Sequence, residues 1–458
     1  MRRVNERVVA IVWVILVLAF IGQLVAKPSF KWGFRERARH TYMNNNMDFN
    51  ADSDDEQGFF RFRTNLWGDI AFNKNFAARV MLTNEFRPYT IVRETQKDRD
   101  WTFDEIIFDN LYLKYTTGGE NPLTVILGRQ NLIYGEGFIL LEGGPWDGSR
   151  SIYHDALKIS LKRDDLTIDL LGISNPQYDY RLPKVVFFED DKPYLGLPKA
   201  HGDQMMNDGL EEALGLYLTK KPAKGTQLEG YYFYKTERPD FVLPTFSDIT
   251  ADQLSMLYVH TIGGRVVHPF SDKLSLMTEW AYQTGGQADN SIGAYGGYAN
   301  LAYTLMPEQK GVLTAGVNVL SGDDPETADV EGWNPLFSRW PKWSELYIYS
   351  QTAENIGGGR KVAYWTNTLA PNIKYVMDVH PKVNMTLWFH HLQAFHPTSS
   401  GEGTTRGTEF QLWLKAKFNK FFTGHFLYDY FIPGDFYADP LANAQFLRFE
   451  LMYTFQSK

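Results

Sequence analysis

The chain has 458 residues, no cysteine and a formal charge of −8 at neutral pH. Without cysteine there is neither a disulfide staple nor thiolate chemistry, and the mildly acidic balance argues against a nucleic-acid partner, whose footprint is normally basic. Mean hydropathy is −0.34, which does not separate a soluble protein from a transmembrane β-barrel, because barrels alternate apolar with polar residues. Aromatic residues at 15%, including 26 Tyr and 32 Phe, favour the barrel, whose interfaces carry aromatic girdles.

The first residues, Met1, Arg2, Arg3 and Arg7, lead into the apolar run Val8 to Ala26, the basic n-region and apolar h-region of a secretory leader. Residues 1–26 are therefore expected to be a signal peptide and 27–458 a single exported domain. No later segment offers about 18 uninterrupted apolar residues, which excludes a helical membrane protein.

From residue 29 onward the pattern has period two. Leu313-Thr314-Ala315-Gly316-Val317-Asn318-Val319 has one apolar and one small or polar face, and Phe410 to Phe418 repeats the rule with charges. The predicted strands are 29–43, 57–73, 75–88, 104–118, 122–133, 153–163, 165–174, 210–221, 225–237, 258–270, 272–285, 293–307, 309–321, 365–379, 381–396, 405–419, 420–431 and 444–456. Tight links such as Asn73-Lys74-Asn75, Arg163-Asp164-Asp165, Pro307-Glu308-Gln309 and His380-Pro381 alternate strictly with longer ones. The longest, 175–209 and 322–364, suit extracellular loops opposite short periplasmic turns. The expected fold is all-β: one antiparallel transmembrane barrel of eighteen strands, both termini in the periplasm. In the last strand Phe449, Leu451, Tyr453 and Phe455 share a face against Arg448, Glu450 and Thr454, which resembles the C-terminal signal read by the barrel-assembly machinery.

If the large apolar side chains face lipid, the opposite faces present Arg35, Arg37, Arg39, Arg61, Arg63, Arg79, Arg87, Arg129, Arg265, Arg448, Lys374, Lys415 and Lys417. Arginine on the lipid side near the midplane would cost about 2–4 kcal/mol, which assigns these groups to the lumen. Acidic runs (Asp52, Asp54, Asp55 and Glu56; Glu189 to Asp191; Asp323, Asp324 and Glu326) fall in loops, so a basic conduit lies beneath an acidic rim. Rings of arginine select anions, and guanidinium forks replace a carboxylate's lost hydration with exchangeable contacts. The plainer reading is that lumenal Glu85, Glu229, Glu279, Glu409 and Glu450 pair with these arginines to stiffen the wall.

Other constellations carry little. His390 and His391 are neighbours on a strand and point to opposite faces; the Asp52 run lacks EF-hand spacing; Gly135-Glu136-Gly137 lacks the rest of a dinucleotide fingerprint; no G-x-S-x-G is present. No catalytic set, metal site or cofactor is expected, and an enzyme rests on nothing positive.

Gly128-Arg129-Gln130 followed by Gly135-Glu136-Gly137, Trp146, Arg150 and Asp155, then Ser321-Gly322-Asp323 with Asn334-Pro335-Leu336-Phe337, then Gly407-Thr408-Glu409-Phe410 and Phe431-Ile432-Pro433-Gly434-Asp435-Phe436, together resemble the alginate export family of outer-membrane porins. The resemblance implies an eighteen-stranded barrel in the outer membrane of a Gram-negative bacterium. It further implies a lumenal arginine belt gated by loops, passing an anionic polysaccharide or oligosaccharide of the alginate type. From the motifs come Arg129 as a pore-lining group and Glu136, Arg150 and Asp155 as constriction or loop-anchoring groups; Asp323 and Asp435 stand in the two loop motifs as further constriction or loop-anchoring groups. The founding system also has a periplasmic lipoprotein scaffold as partner. Because substrate does not follow fold, a general or small-anion porin stays open as the alternative, and the barrel is expected to act as a monomer.

Overall fold

The computed structural model describes residues 28–46, 48–53, 55–92, 101–141, 153–176, 179, 181–186, 209–239, 255–338, 343–347, 365–397, 401 and 403–457. The expected signal peptide, Trp146, Arg150 and the Glu189 to Asp191 run lie outside them.

In chain order the strands are β1 (Ser29–Asn44), β2 (Gln57–Ala71), β3 (Phe76–Ile91), β4 (Trp101–Thr116), β5 (Leu123–Gln130), β6 (His154–Arg163), β7 (Leu166–Asn175), β8 (Val185–Val186), β9 (Gly209–Ala223) and β10 (Thr226–Pro239). They continue with β11 (Leu257–Pro269), β12 (Leu274–Gln287), β13 (Asn290–Met306), β14 (Gly311–Leu320), β15 (Thr368–His380), β16 (Val383–Gln393), β17 (Thr405–Lys417), β18 (Phe422–Pro433) and β19 (Ala444–Gln456). Every strand but β8 pairs antiparallel with its sequence neighbours in the wall, and β1 pairs with β19, closing an eighteen-stranded barrel. Closure leaves no long unpaired edge, the condition for strands to cross a lipid bilayer.

Alternation decides which side chain faces which way. On β1, Gly33, Arg37, Arg39, Thr41 and Met43 are buried while their even-numbered neighbours are not. Across the barrel, Ile262 is 63% and Leu214 67% exposed on the outer side, and burial there is left to lipid. Phe30 and Trp32 near one end of the wall, and Tyr258 near the other, are exposed aromatics of the kind that form interfacial girdles. No helix of the described residues is long and apolar enough to cross a membrane; the crossing elements are strands.

Three departures from the sequence pattern matter. The link between β12 and β13 is Ala288-Asp289, a tight hairpin with Ala288 at φ 52°, where a longer connection is expected. The apolar rhythm is hidden there by Gly285 and Gly286, so strict alternation of short and long links breaks at this junction. Second, β5 ends at Gln130 instead of 133, because the chain leaves the wall and turns into the lumen. Third, β4 outruns the shortened β5, and its upper edge at Glu105 and Ile106 is paired instead by the two-residue β8.

The core consequently lies inside the barrel, between the wall and inward-folded loops. Residues 131–141 and 321–338 meet there: Leu140 and Phe337 form a parallel bridge, the Phe337 amide donates to the Ile139 carbonyl at 3.1 Å, and Phe138 stacks on Trp333 at 5.1 Å. Trp333 lies flat over Gly296, where a Cβ would come within 2.6 Å of its ring.

Candidate functional site

One side of the lumen is an arginine strip. The inward faces of β19, β1, β2 and β3 carry Arg448, Arg35, Arg37, Arg39, Arg61, Arg63, Arg79 and Arg87, against the carboxylates Glu450, Asp69 and Glu85. Arg37 is directly opposite Arg63, and Arg39 directly opposite Arg61. Like charges so placed repel, and shared carboxylates hold them in position. Glu85 lies 3.0 Å from Arg37, 3.3 Å from Arg61 and 3.9 Å from Arg63; Asp109 on β4 is 3.5 Å from Arg63; Arg39 donates to Glu450 at 2.6 Å. Aromatic faces take part of the remaining charge. Arg87 and Arg61 sit 4.7 and 5.4 Å from the Phe59 ring centre, and Trp67 lies between Arg35 at 5.7 Å and Arg79 at 5.9 Å. Toward the periplasmic end Arg79 pairs with Asp69 at 2.8 Å, both partly open to water.

The basic face continues onto β15 to β18. Lys374 stands opposite Trp388 with its ammonium 4.6 Å from the indole centre, Lys415 is exposed at 4.7 Å from Trp413, and His425 packs on Trp413 at 5.1 Å.

The opposite side is a packed scaffold. Tyr134, Tyr217 and Tyr231 stack in sequence at 4.2 and 5.3 Å, and Tyr134 donates to Asp169 at 2.6 Å. Beneath this stack Arg265 bonds Glu229 at 3.1 Å and the Tyr298 hydroxyl at 3.1 Å, with Glu136 at 3.4 Å. Arg265 therefore faces the lumen as expected, yet it serves to hold the 131–141 loop. Glu136 is 55% exposed on that loop and reaches Arg265. Gly135 takes φ +55°, and a Cβ there would press on Arg265.

Arg129 departs from a bore-lining role. In the wall register it pairs with Leu111 and Asp155, on the face where Arg181 joins Asp155 to the Ser174 hydroxyl, the side turned away from the lumen. Its guanidinium is wholly buried, bonded to Asp155 at 2.9 Å and Asp179 at 2.8 Å and stacked 3.6 Å from Tyr153. The knot fills the wall where β5 and β6 fall short, so Arg129 and Asp155 are anchors. Asp323 accepts the Glu331 amide at 2.8 Å, and Asp435 accepts the Thr405 amide at 2.8 Å; both brace loops rather than narrow the bore. In the same loop motif a Cβ at Gly322 would meet Asn367 at 2.2 Å.

Sequence patterning does not flag three groups. Lys235 is completely buried between Glu237 at 2.7 Å and Glu211 at 3.2 Å, although its odd position on β10 after Tyr231 and Phe233 marks it as lumenal. Arg406 reaches the Tyr347 hydroxyl at 2.6 Å. Glu345, in a loop with no strand pattern, pairs with Arg448 at 2.8 Å.

No protein-family model and no curated protein sequence matches the chain. Solved structures do. OccK5 (OpdH) of Pseudomonas aeruginosa superposes with a TM-score of 0.55 at 11% identity over 94% of this chain and 99% of that one. OpdQ of the same organism gives 0.55 at 11% over 95% and 100%, and OccAB4 of Acinetobacter baumannii 0.55 at 10% over 94% and 98%. The fold is an outer-membrane porin barrel. At such identities the likeness speaks for this porin architecture alone, and with the apolar outer belt it accords with the expected outer-membrane location.

Proposed function

We propose that this porin barrel is a channel for small anionic solutes, with carboxylates the best fit. The observation that carries the reading is the strip itself: eight arginines against three carboxylates on the inward faces of four adjacent strands. A partly desolvated carboxylate exchanges its lost waters for bidentate guanidinium contacts at successive positions, each weak enough to leave. The inward segments 131–141, 321–338 and 343–347 take up lumen that a polysaccharide chain would need, which favours small solutes over alginate-type export. The motif that suggests export is also weakened, since Arg129 within it serves the wall.

The test is the reversal potential of the refolded chain in planar bilayers under a potassium chloride gradient, repeated for Arg37→Ala and Arg63→Ala. Anion preference that falls in both variants supports the reading. A cation-selective pore indifferent to both substitutions would sink it, and current block by polyuronate stronger than by small carboxylates would restore the polymer reading.

A further inference from the structure

The carboxylates on the arginine strip have two origins. Glu85 and Glu450 are fixed on strands, whereas Glu345 reaches the strip from a loop. Residues 343–347 lie inside the barrel against β17, β18 and β19. Gln411 donates to the Trp343 carbonyl at 2.7 Å, the Ser344 hydroxyl donates to Glu409, and the Leu346 amide donates to Asp429 at 3.3 Å. Leu346 and Tyr347 are completely buried, and Trp365 closes on both Trp343 and Tyr347 at 5.1 and 5.7 Å. These contacts hold the segment without any help from the Glu345 side chain.

What Glu345 does instead is offer its carboxylate to Arg448 at 2.8 Å. Arg448 shares the inward face of β19 with Glu450 two residues on, and Glu450 is the partner of Arg39 across the ladder. Since β19 runs from the loop-rich end toward the short-turn end, Arg448 stands above Arg39. Arg448 is completely buried there, with the nearly buried Glu345 carboxylate set over it.

We propose that Glu345 is a tethered competitor for the solute: a carboxylate on a loop that occupies and covers the Arg448 guanidinium until a solute carboxylate takes its place. This rests on the anion-channel reading above. No covalent bond changes; one charge-assisted hydrogen bond is exchanged for another, so the arginine stays oriented and compensated when no solute is present. Glu345 thereby sets how tightly the strip holds anions, in competition with them.

The experiment uses the full refolded chain in planar bilayers, with succinate as the probe, comparing wild type with Glu345→Gln, Glu345→Asp and Ser344→Ala. Glu345→Gln should lower the succinate concentration for half-maximal current block about tenfold, the scale of a lost charge-assisted competitor, and raise anion preference. Glu345→Asp should stay near wild type. Ser344→Ala keeps the charge but loosens the segment, and should move in the same direction as Glu345→Gln by a smaller amount; it decides the matter if Glu345→Gln does not assemble. Unchanged or weaker succinate block in Glu345→Gln, or in Ser344→Ala where that variant decides, overturns the proposal. Arg37→Ala and Arg448→Ala separate the two failures. If they lower anion preference while the loop variants do nothing, only the competitor falls; if they leave selectivity unmoved, the channel reading falls with it.

Discussion

Arg37 on β1 and Arg63 on β2 face each other directly across the ladder, both buried, with one carboxylate, Glu85, between 3.0 and 3.9 Å from the pair. The arrangement runs against cross-strand preference, in which opposite charges are paired and like charges avoided. Glu85→Gln should therefore destabilise the barrel by about 1–3 kcal/mol, the cost of buried charges losing a charged partner, while raising anion preference. Urea unfolding in detergent micelles and the reversal potential together check both signs.

Arg129→Ala should separate anchor from bore. Asp179 would be left buried and Asp155 would keep only Arg181, costing about 3 kcal/mol, yet the reversal potential should not change because the side chain lies on the outer side of the wall. A shift in ion selectivity equal to that of Arg37→Ala would contradict the geometry.

Gly135→Ala puts a Cβ at φ +55°, a backbone costing a side-chain residue roughly 1–2 kcal/mol, and pushes on Arg265. The 131–141 loop should withdraw from the lumen, and single-channel conductance should rise with little change in ion preference.

Trp333→Ala removes the ring that covers Gly296 and stacks on Phe138. Loss of a buried tryptophan costs about 3–5 kcal/mol, and because this packing joins two inward loops, the variant should show larger and noisier unitary currents than wild type.

Ile262→Arg tests the lipid face. Ile262 is exposed near the middle of β11, where arginine should cost about 2–4 kcal/mol; the yield of folded, heat-modifiable barrel should drop, whereas Val259→Thr on the inward face of the same strand should assemble normally.

Much of the barrel was legible because each strand must present an apolar face to lipid and a wet face to the lumen, a constraint written every second residue. That rule places Arg61, Arg63, Arg87 and Arg448 on the strip and gives the short or long character of sixteen of the seventeen connections between wall strands, failing at Ala288-Asp289 where adjacent glycines erase the contrast between faces. Arg129 is misassigned to the lumen although it shares the lipid-side parity of Val125 and Leu127; the cost of charge in lipid argues against that face until the structure shows Asp155, Asp179 and Tyr153 enclosing the guanidinium there.

The closed barrel, its strand count and the excess of arginine on one set of inward faces can be read from the residues alone, since they follow from local alternation and the cost of charge in lipid. Which arginines face the lumen and which lock the wall, and the meeting of Glu345 with Arg448 across 103 residues of chain, emerge only in the folded barrel. Those outcomes depend on where the loops fold inside a cylinder already closed, and loops carry no periodicity from which a contact across the lumen could be read.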